Sequence, residues 1–408
     1  MRILLVNNLF GDNARGGAER VVWAEAQALS EAGHEVAVIR SSSGERREKW
    51  GGLTVFSLRS GNLFPYSDLG KHRSAARLVW HLVDLFNVRA VLDIRAIIRR
   101  FRPEVVHTHN LIGIGYLLPW LLRRSGIRHV HTLHDVQLLD PSGALRAAVD
   151  EPSLPFFSKR YSSVTRWLMG SPAVVISPSF FLLKAHRKYR FFPKSIGEVV
   201  ANPLTGSEGS VPPSPDAESG GKGIGGDAPP VFLYAGQLEV QKGIPILLEA
   251  WAGWPGRREA VLEIAGDGNL RGEAETAVKS GPINIRYLGR LEGNELRDAY
   301  RRAAYTVLPS EIIENAPTAI TEGYAQGVPA VAANTGGVPE MVEDGVTGFV
   351  FEPGNVGSLR ESLDRAMDAR KGGQWPALSE QSLKRAAGLS VEGHLRRLAG
   401  IYGGNFGK

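Results

Sequence analysis

Residues 205–243 decide how the chain is organised, and they read TGSEGSVPPSPDAESGGKGIGGDAPPVFLYAGQLEVQKG. The first part, 205–230, consists almost entirely of Gly, Ser, Pro and charged residues, with no aromatic side chain and almost no aliphatic one. Such a composition cannot bury enough apolar surface to fold, so it predicts a flexible linker. The apolar run 231–235 and the glycine-rich loop after it predict that a second domain begins at residue 231.

Strand-like and helical patterns alternate on both sides of this linker. Before it, strands are predicted at 2–7, 35–40, 105–109, 129–133 and 173–177, with helices at 18–32 and 90–101. After it, strands are predicted at 231–235, 261–265, 283–288, 305–308, 330–332 and 348–351, with helices at 244–251, 292–304, 317–326, 357–369 and 379–402. This rhythm is typical of parallel sheets covered by helices on both faces.

The predicted fold class is therefore α/β, with two doubly wound, Rossmann-like domains facing a central cleft. The first domain is expected over 1–204 and the second over 231–385. A C-terminal helix over 386–408 could pack back on the first domain. Because open parallel sheets bind ligands outside the carboxyl ends of their strands, the site is expected in the cleft.

Composition excludes several classes of protein. The 408 residues include no cysteine, so disulfides, thiol catalysis and Cys-ligated zinc are ruled out. No run of about eighteen apolar residues is present, which excludes a membrane span. The N-terminus lacks a signal-peptide pattern, so a cytoplasmic location is expected.

The net charge of +6 is unevenly distributed. Two clusters are interpreted either as solvated helix faces or as a basic, partly aromatic face that rests on anionic lipid at the inner face of the cell membrane. No nucleic-acid recognition motif accompanies them, which disfavours a nucleic-acid partner. The clusters comprise Arg89, Arg95, Arg99, Arg100 and Arg102, and then Lys159, Arg160, Arg166, Lys184, Arg187, Lys188, Arg190 and Lys194.

The segment with the strongest chemical signal lies between residues 308 and 329. Glu314 is predicted in a loop just before a helix, and Glu322 about one and a half turns inside that helix. Pro317 is expected at an early helical position, where its missing N–H costs nothing. An ionised carboxylate only accepts hydrogen bonds, so each Glu suits a diol. Without its context, the pair could equally be a helix-capping acid and a solvated Glu.

Five glycine-containing loops or turns follow predicted strands and can approach an anion closely. They are the loop with Gly16 and Gly17, the loop from Gly236 through Gln237 to Lys242 and Gly243, the turns with Gly268 and with Gly289 and Arg290, and the pair Gly336 and Gly337. Lys242 is placed where its charge could reach a phosphate at a helix start. As isolated features, these loops are equally well explained as ordinary turns and a surface lysine.

Five histidines crowd two predicted strand ends: His107, His109, His129, His131 and His134. No carboxylate motif accompanies them, so core or strand-end roles are favoured over a metal site. His134 is expected at the cleft, where a neutral imidazole could bind a sugar hydroxyl with Asp135 fixing its orientation.

Taken together, the motifs resemble the family 4 glycosyltransferases, which have the GT-B fold. The resemblance covers nearly the whole chain, and its most specific block is 314–354, with Glu-Asn-x-Pro, Glu-x7-Glu, Gly-Val-Pro and Gly-Gly-Val-Pro-Glu in order. The other matching segments are 16–19, 32–36, 103–109 and 236–243.

This resemblance implies a retaining transfer of a hexose or N-acetylhexosamine from a UDP-, GDP- or ADP-sugar to a carbohydrate or lipid-linked acceptor, in cell-surface polysaccharide or glycoconjugate synthesis. The first domain would take the acceptor and the second the donor. No cofactor or metal is implied, because cations and helix dipoles stabilise the leaving diphosphate. Glu314 and His134 would be catalytic. The implied donor-binding residues are Gly16, Gly17, Gln237, Lys242, Gly268, Arg290, Asn315, Ala316, Pro317, Thr318 and Glu322.

One position departs from the family pattern. The family has Arg where Gln237 stands, and Gln lacks the charge and the bidentate geometry of that Arg. Arg290 could compensate for the missing charge. Two alternative functions therefore stay open: a nucleotide-sugar epimerase of the same fold, and a non-catalytic nucleotide-sugar binder.

Overall fold

The computed structural model describes residues 1–11, 16–42, 44–59, 61–143, 145, 153–204, 229–280 and 284–403. The chain divides into two compact units. Unit 1 comprises Met1–Gly143, Ser153–Pro203 and Val391–Lys408, and unit 2 comprises Ala144–Pro152 and Leu204–Ser390. The predicted linker falls outside the described residues from 205 to 228, as do the last residues of the predicted C-terminal helix, 404–408.

Unit 1 is built on one sheet with the strand order β3-β4-β2-β1-β5-β6-β7-β8. All neighbouring pairs are parallel except β3 with β4. The strands are β1 (Arg2–Val6), β2 (Glu35–Ser42), β3 (Arg46–Trp50), β4 (Leu53–Arg59), β5 (Val105–Thr108), β6 (Arg128–Thr132), β7 (Val174–Ser177) and β8 (Ile196–Val199).

The helices of unit 1 cover this sheet. They are α1 (Gly17–Glu31), α2 (Ser74–Leu85), α3 (Val88–Phe101), α4 (Leu117–Ser125), α5 (Phe156–Met169), α6 (Phe180–Lys188) and the C-terminal α14 (Val391–Tyr402). In α1, Val22, Ala26 and Leu29 are fully buried, as their helical spacing predicts. They pack in one core with Ile3 and Leu5 of β1.

The C-terminal helix α14 belongs to unit 1. Its side chains Leu398, Ile401 and Tyr402 are buried in the same core as β1. The guanidinium of Arg128 in β6 donates to the carbonyl oxygen of Ile401 at 2.7 Å. The predicted start of this helix at residue 386 differs from the structure, because 388–390 separate it from the preceding helix.

Unit 2 contains a fully parallel sheet in the order β11-β10-β9-β12-β13-β14. Its strands are β9 (Val231–Ala235), β10 (Val261–Ala265), β11 (Ile285–Gly289), β12 (Tyr305–Leu308), β13 (Ala330–Ala333) and β14 (Gly348–Phe351). Its helices are α7 (Ile244–Gly253), α8 (Arg271–Lys279), α9 (Gly293–Arg302), α10 (Thr318–Ala325), α11 (Val338–Met341), α12 (Val356–Lys371) and α13 (Trp375–Ala387).

The predicted α/β class with two parallel-sheet domains is confirmed. Each sheet also has a point where the strand order reverses, between β1 and β5 in unit 1 and between β9 and β12 in unit 2. The loops that leave the two central strands diverge there, which creates the crevice where doubly wound sheets bind ligands. Among the described helices, none combines the length and the apolar character that crossing a membrane would require.

Candidate active site

Lys242 and Glu314 meet at the strand-order reversal of unit 2. Lys242 ends a short 3-10 turn after β9, and Glu314 lies in the loop after β12. The ammonium Nζ of Lys242 is 2.6 Å from Oε1 of Glu314, and the two side chains are 27% and 12% exposed. The structure thus brings together a cation and a carboxylate that lie 72 residues apart in the sequence.

The loop that carries Glu314 is held from two sides. The hydroxyl of Ser310 donates to Oε1 of Glu314 at 2.6 Å. The backbone N–H of Gly337 donates to the carbonyl oxygen of Glu314 at 2.8 Å. At Gly336, whose φ is +60°, a Cβ atom would stand 2.0 Å from that same carbonyl oxygen. Only glycine therefore lets the two loops approach so closely.

Glu322 lies inside α10 and is buried. Its Oε2 accepts a hydrogen bond from the hydroxyl of Tyr300 in α9, at 3.0 Å. Pro317 directly precedes α10 rather than standing within it, so the predicted helix start is one residue early. Asn315, Ala316 and Thr318 lie around this helix start, and Asn315 is buried.

Gln237 and Arg290 follow different strands of the unit 2 sheet. The side chain of Gln237, in the loop after β9, is exposed, while its backbone oxygen accepts from the hydroxyl of Tyr234 at 2.6 Å. Arg290 follows β11, two strands away from β9, and its NH2 is 2.6 Å from Oε1 of Glu292. Compensation of Gln237 by Arg290 stays a prediction.

Gly268 belongs to a turn after β10 that lies against the loop after β9. The backbone N–H of Leu238 donates to the carbonyl oxygen of Asp267 at 2.9 Å, and that of Leu270 donates to Leu238 at 2.9 Å. A Cβ atom on Gly268 would lie 2.5 Å from the carbonyl oxygen of Leu238. The turn is thus packed directly on the loop that leads to Lys242.

In unit 1, Gly16 and Gly17 begin α1. Gly16 is the N-cap residue and Gly17 the first helical residue. The backbone N–H of Gly16 donates to Oε2 of Glu19 at 2.7 Å, so the carboxylate of this helix's own first turn interacts with its positive end. The preceding residues of the loop, 12–15, lie outside the described part of the chain.

His134 lies just after β6, where its imidazole contacts a second histidine. Nε2 of His134 is 3.0 Å from Nδ1 of His109. Burial, and to a smaller extent the nearby His394, lower the pKa of His134 to about 4. The ring is therefore neutral at pH 7, which is the state expected of an imidazole that binds a sugar hydroxyl.

Asp135 is predicted to orient His134, and this role stays a prediction. Its Oδ1 accepts the backbone N–H of Gln137 at 2.8 Å, which fixes the turn after β6. The pKa of Asp135 is raised to about 7, chiefly by burial; the hydrogen bond from Gln137 lowers it and the charge of Glu19 raises it. The His134 ring also contacts His109.

These groups line a small cavity of about 10 Å³, which is room for roughly one water molecule. His109, His131, His134 and Asp135 contribute its polar wall, and Tyr116 with neighbouring leucines contributes its apolar wall. The cavity lies at the carboxyl ends of β5 and β6. Unit 1 therefore offers neutral imidazoles and a carboxyl group to a ligand at this edge of its sheet.

Behind this cavity, Glu25, His107 and His109 form a buried group whose ligand-type atoms lie within 4.8 Å of one another. Such a set could hold a metal ion. However, both ring nitrogens of His107 bond hydroxyl groups, Nδ1 to Tyr402 and Nε2 to Thr132, each at 2.7 Å.

Several residues of the site were missed by sequence reasoning. Ser310 and Tyr300 hold the two glutamates, Tyr234 holds the loop after β9, and Glu25 lies behind the histidines. Ser310 lies two residues after the end of β12, which is a usable signal. The others are buried members of helices and strands, and their spacing does not distinguish them from core residues.

Comparison with known families places both units in one group of enzymes. Residues 15–204 match the model described as Glycosyltransferase Family 4, and residues 223–381 match the model described as Glycosyl transferases group 1. A relative from Klebsiella pneumoniae, described as an uncharacterized 42.6 kDa protein in the cps region, is 29% identical over 195 residues. That match covers 47% of this chain and 52% of the relative, so the chain matches only about half of that protein's length.

Solved structures with the same fold cover the chain almost completely. Sucrose-phosphate synthase from Thermosynechococcus elongatus superimposes with a TM-score of 0.74 at 18% identity, over 98% of both chains. The Anabaena protein Alr3699/HepE, solved in complex with UDP-glucose, gives a TM-score of 0.69 at 17% identity, over 99% of both chains. At these identities the likeness establishes the fold.

Proposed function

The chain belongs to the family 4 type of glycosyltransferases, and we propose that it transfers a hexose or N-acetylhexosamine from a nucleotide sugar to a carbohydrate or lipid-linked acceptor with retention of configuration. Synthesis of a cell-surface polysaccharide or glycoconjugate is the process we infer for it. The donor would be a UDP-, GDP- or ADP-sugar and would bind to unit 2.

The observation that carries this proposal is the Lys242–Glu314 pair at the strand-order reversal of unit 2. A diphosphate leaving group develops negative charge as the sugar departs, and a preorganised cation stabilises that charge. Glu314 holds the ammonium of Lys242 in place and itself accepts hydrogen bonds, as a group beside the donor sugar must. The fixed loop of Gly336 and Gly337 keeps this arrangement rigid.

Glu322 is proposed as the ligand of the ribose. The Tyr300 hydroxyl holds one carboxylate oxygen, which leaves Glu322 oriented rather than free to rotate. A carboxylate accepts from both hydroxyls of a cis diol, and this geometry suits a ribose. The proposal is supported by the solved structure of a similar fold with UDP-glucose, whose donor is of the same chemical class.

The experiment is a nucleotide-binding and turnover assay on Lys242→Met, with Lys279→Met as the matched control on the exposed face of α8. Loss of a charged hydrogen bond to phosphate should raise the Kd for a nucleoside diphosphate roughly 10- to 100-fold. The control should bind as the wild type does. Equal affinity in both variants would contradict the placement of the diphosphate.

Product analysis separates transfer from the two alternative functions. A transferase should release nucleoside diphosphate and extend an acceptor. An epimerase should yield an altered sugar without an acceptor, and a non-catalytic binder should show affinity with no turnover of any donor. The exposed Gln237 stands where the family has Arg, and this is the reason to test for a non-catalytic binder.

We also propose that α5 rests on an anionic membrane surface. Phe156 and Trp167 are 75% and 61% exposed, and Arg160 lies between them on the same helix face, at positions i, i+4 and i+11. Exposed aromatic and basic side chains together favour the interface of a bilayer that carries negative charge. Three further basic residues of this region are exposed: Lys159, Lys184 and Lys188.

Vesicle co-sedimentation tests this contact. The wild type should bind vesicles that contain phosphatidylglycerol more than vesicles of phosphatidylcholine. The double variant Phe156→Ser with Trp167→Ser should lose this binding, while Val278→Ser, an exposed apolar position in unit 2, should keep it. Equal binding to both kinds of vesicle would contradict the proposal.

A further inference from the structure

A buried series of ionisable side chains runs through unit 1 from the C-terminal helix to His134. His394 in α14 contacts Glu25 in α1, with 2.8 Å between Nε2 and Oε1. The other oxygen of Glu25, Oε2, is 3.5 Å from Nε2 of His109, and Nδ1 of His109 is 3.0 Å from Nε2 of His134. Glu25, His109 and His394 are all buried.

The hydrogen-bond partners of His394 determine where its protons lie. Its Nδ1 is 3.1 Å from the carbonyl oxygen of Ala201, and its Nε2 faces the carboxylate of Glu25. Carbonyl and carboxylate oxygens accept hydrogen bonds and do not donate them. His394 thus lies between these two oxygens and holds one oxygen of the Glu25 side chain in place.

This carboxylate in turn selects the tautomer of His109. Oε2 of Glu25 and Nε2 of His109 face each other, and neither atom has a shorter hydrogen-bond partner among the described residues. Burial and the neighbouring histidines hold the pKa of His109 well below its usual range, so the ring is neutral and has one proton. Because the acceptor lies at Nε2, the proton is expected there, and Nδ1 is left as an acceptor.

The same reasoning then applies to His134. Its Nε2 faces Nδ1 of His109, so Nε2 must donate to it. Since the neutral ring has one proton, Nδ1 of His134 carries none and is a hydrogen-bond acceptor. A ligand hydroxyl can donate to such a nitrogen, whereas a phosphate oxygen or a carbonyl oxygen cannot.

We propose that Glu25 and His109 are positioning residues that fix His134 as the Nε2–H tautomer and so present its Nδ1 to a hydroxyl group of the sugar. His394, brought to Glu25 by α14, contacts the other oxygen of that side chain and holds it in place. The sugar contact rests on the proposed function, whereas the tautomer follows from unit 1 alone.

A cation held by Glu25, His107 and His109 is the competing explanation for the same atoms. Nδ1 of His107 already bonds the hydroxyl of Tyr402 at 2.7 Å, so a metal ion would have to displace that bond. A shared proton between Glu25 and His109 requires only that the 3.5 Å distance between Oε2 of Glu25 and Nε2 of His109 shorten by a few tenths of an ångström. The proton therefore accounts for the geometry with less rearrangement.

Histidine-selective 15N NMR of the full chain tests the proposal near pH 7. In the wild type, His109 and His134 should each show a proton on Nε2 and none on Nδ1. Glu25→Gln should produce a mixture of tautomers at both rings, because its amide can donate as well as accept. The matched control Glu31→Gln, on the exposed end of α1, should leave the spectrum unchanged.

Turnover of the nucleotide sugar gives a second readout. We expect kcat to fall about 10-fold or more in Glu25→Gln, as is typical when the partner that orients a functional His is lost. A wild-type His134 with its proton on Nδ1 would overturn the proposal, even if the variant does not fold. Wild-type tautomers in a folded Glu25→Gln would also overturn it. The same holds if the purified chain contains stoichiometric Zn²⁺ and its removal by chelation changes the His109 signals.

The NMR spectrum and the turnover assay test the tautomer assignment and the proposed function separately. The expected tautomers with no turnover of any nucleotide sugar would contradict the proposed function and leave the tautomer assignment in place. Turnover with unchanged tautomers in Glu25→Gln would contradict the positioning role and leave the proposed function in place.

Discussion

At the scale of single residues, the proposed donor site of unit 2 depends on side chains that orient other side chains. Tyr300 bonds Glu322 and Ser310 bonds Glu314, while Lys242 pairs with the same Glu314 oxygen. A buried carboxylate is useful to a ligand only when its orientation is already fixed, because ordering it during binding costs free energy. Tyr300 and Ser310 should therefore affect the affinity for the ligand without touching it.

Tyr300→Phe tests this support. The variant removes the hydroxyl that donates to Glu322 while keeping the ring that fills the core. We expect the Kd for a nucleoside diphosphate to rise roughly 10-fold, the effect of one hydrogen bond to a charged group. Calorimetry on Tyr305→Phe provides the control, since that buried hydroxyl donates to the carbonyl oxygen of Ala366. Equal losses of affinity in the two variants would point to general destabilisation.

A second prediction at this scale concerns Asp84, which lies buried at the end of α2. Both of its carboxylate oxygens are 3.0 Å from the backbone N–H of Gly113. Burial raises its pKa from 3.8 to about 7, although the bonds from Gly113 and Asn62 lower it. The folded state thus binds this proton more tightly than the unfolded state. Its contribution to the free energy of unfolding must fall as pH rises from about 4 to about 7.

Asp84→Asn removes this titration. Relative to the wild type, the variant should gain stability steadily between about pH 4 and pH 7, measured by urea unfolding at several pH values. Asp298→Asn, at an exposed position of α9, should show a constant difference from the wild type. A constant difference for Asp84→Asn as well would mean that the folded and unfolded states bind the proton of Asp84 equally.

At the scale of secondary structure elements, the close approach of two loops shapes the proposed donor site. The carbonyl oxygen of Glu314 accepts from Gly337, and Thr335 donates to the carbonyl oxygen of Ile312 at 3.0 Å. The loop after β12 is thereby fixed on the loop after β13. The buried side chain of Ile313 also packs beside Gly336, so backbone contacts and packing hold the two loops together.

Gly336→Ala should break that contact. The new Cβ would stand 2.0 Å from the carbonyl oxygen of Glu314, at a φ of +60°. Overpacking of this kind costs about 1–3 kcal/mol, and we expect donor turnover to fall further than stability does because Glu314 is displaced. Gly400→Ala, in open space on α14, should be neutral or slightly stabilising. Full turnover in Gly336→Ala would contradict the role of this contact.

The elements show what sequence can and cannot predict. The strands β1, β5, β9 and β12 are mostly apolar runs, and their positions follow from composition and spacing. The antiparallel strand β3 was missed because its sequence, RREKW, is polar, as an edge strand can be when one face meets solvent. Helix α2 was missed although its fully buried Trp80 anchors it.

The candidate site likewise contains residues that sequence could predict and contacts that it could not. Lys242 and Glu314 stand at loops that any doubly wound fold brings together, so their roles could be proposed in advance. The contact between Glu25 and His394 joins residues 369 positions apart. Nothing in local spacing indicates that a C-terminal helix returns to α1, because that return depends on the packing of the whole unit.

At the scale of the whole molecule, the C-terminal helix α14 completes unit 1. Leu398, Ile401 and Tyr402 help to fill its core, and His394 contacts Glu25. The last segment of the chain is therefore part of both the stability and the proposed chemistry of a unit that otherwise ends near residue 203.

A chain that ends at residue 390 lacks α14 and should lose the stability that this helix gives to unit 1. Exposure of three large apolar side chains costs roughly 1.5–3 kcal/mol each, so we expect a markedly lower Tm for unit 1. Limited proteolysis should then cut unit 1 before unit 2. A chain that ends at Gly403 retains the helix and serves as the control. An unchanged Tm in the shorter chain would contradict the packing of α14.

The claim that the chain uses a nucleotide-sugar donor is tested most directly by a thermal-shift measurement over UDP-, GDP- and ADP-sugars, with Lys242→Met beside the wild type. A ligand at 100 times its Kd stabilises the folded state by about 2.7 kcal/mol. We predict that at least one of these sugars raises the Tm of the wild type by several degrees and that of Lys242→Met by much less. No shift with any of them, or equal shifts in both proteins, would contradict the account.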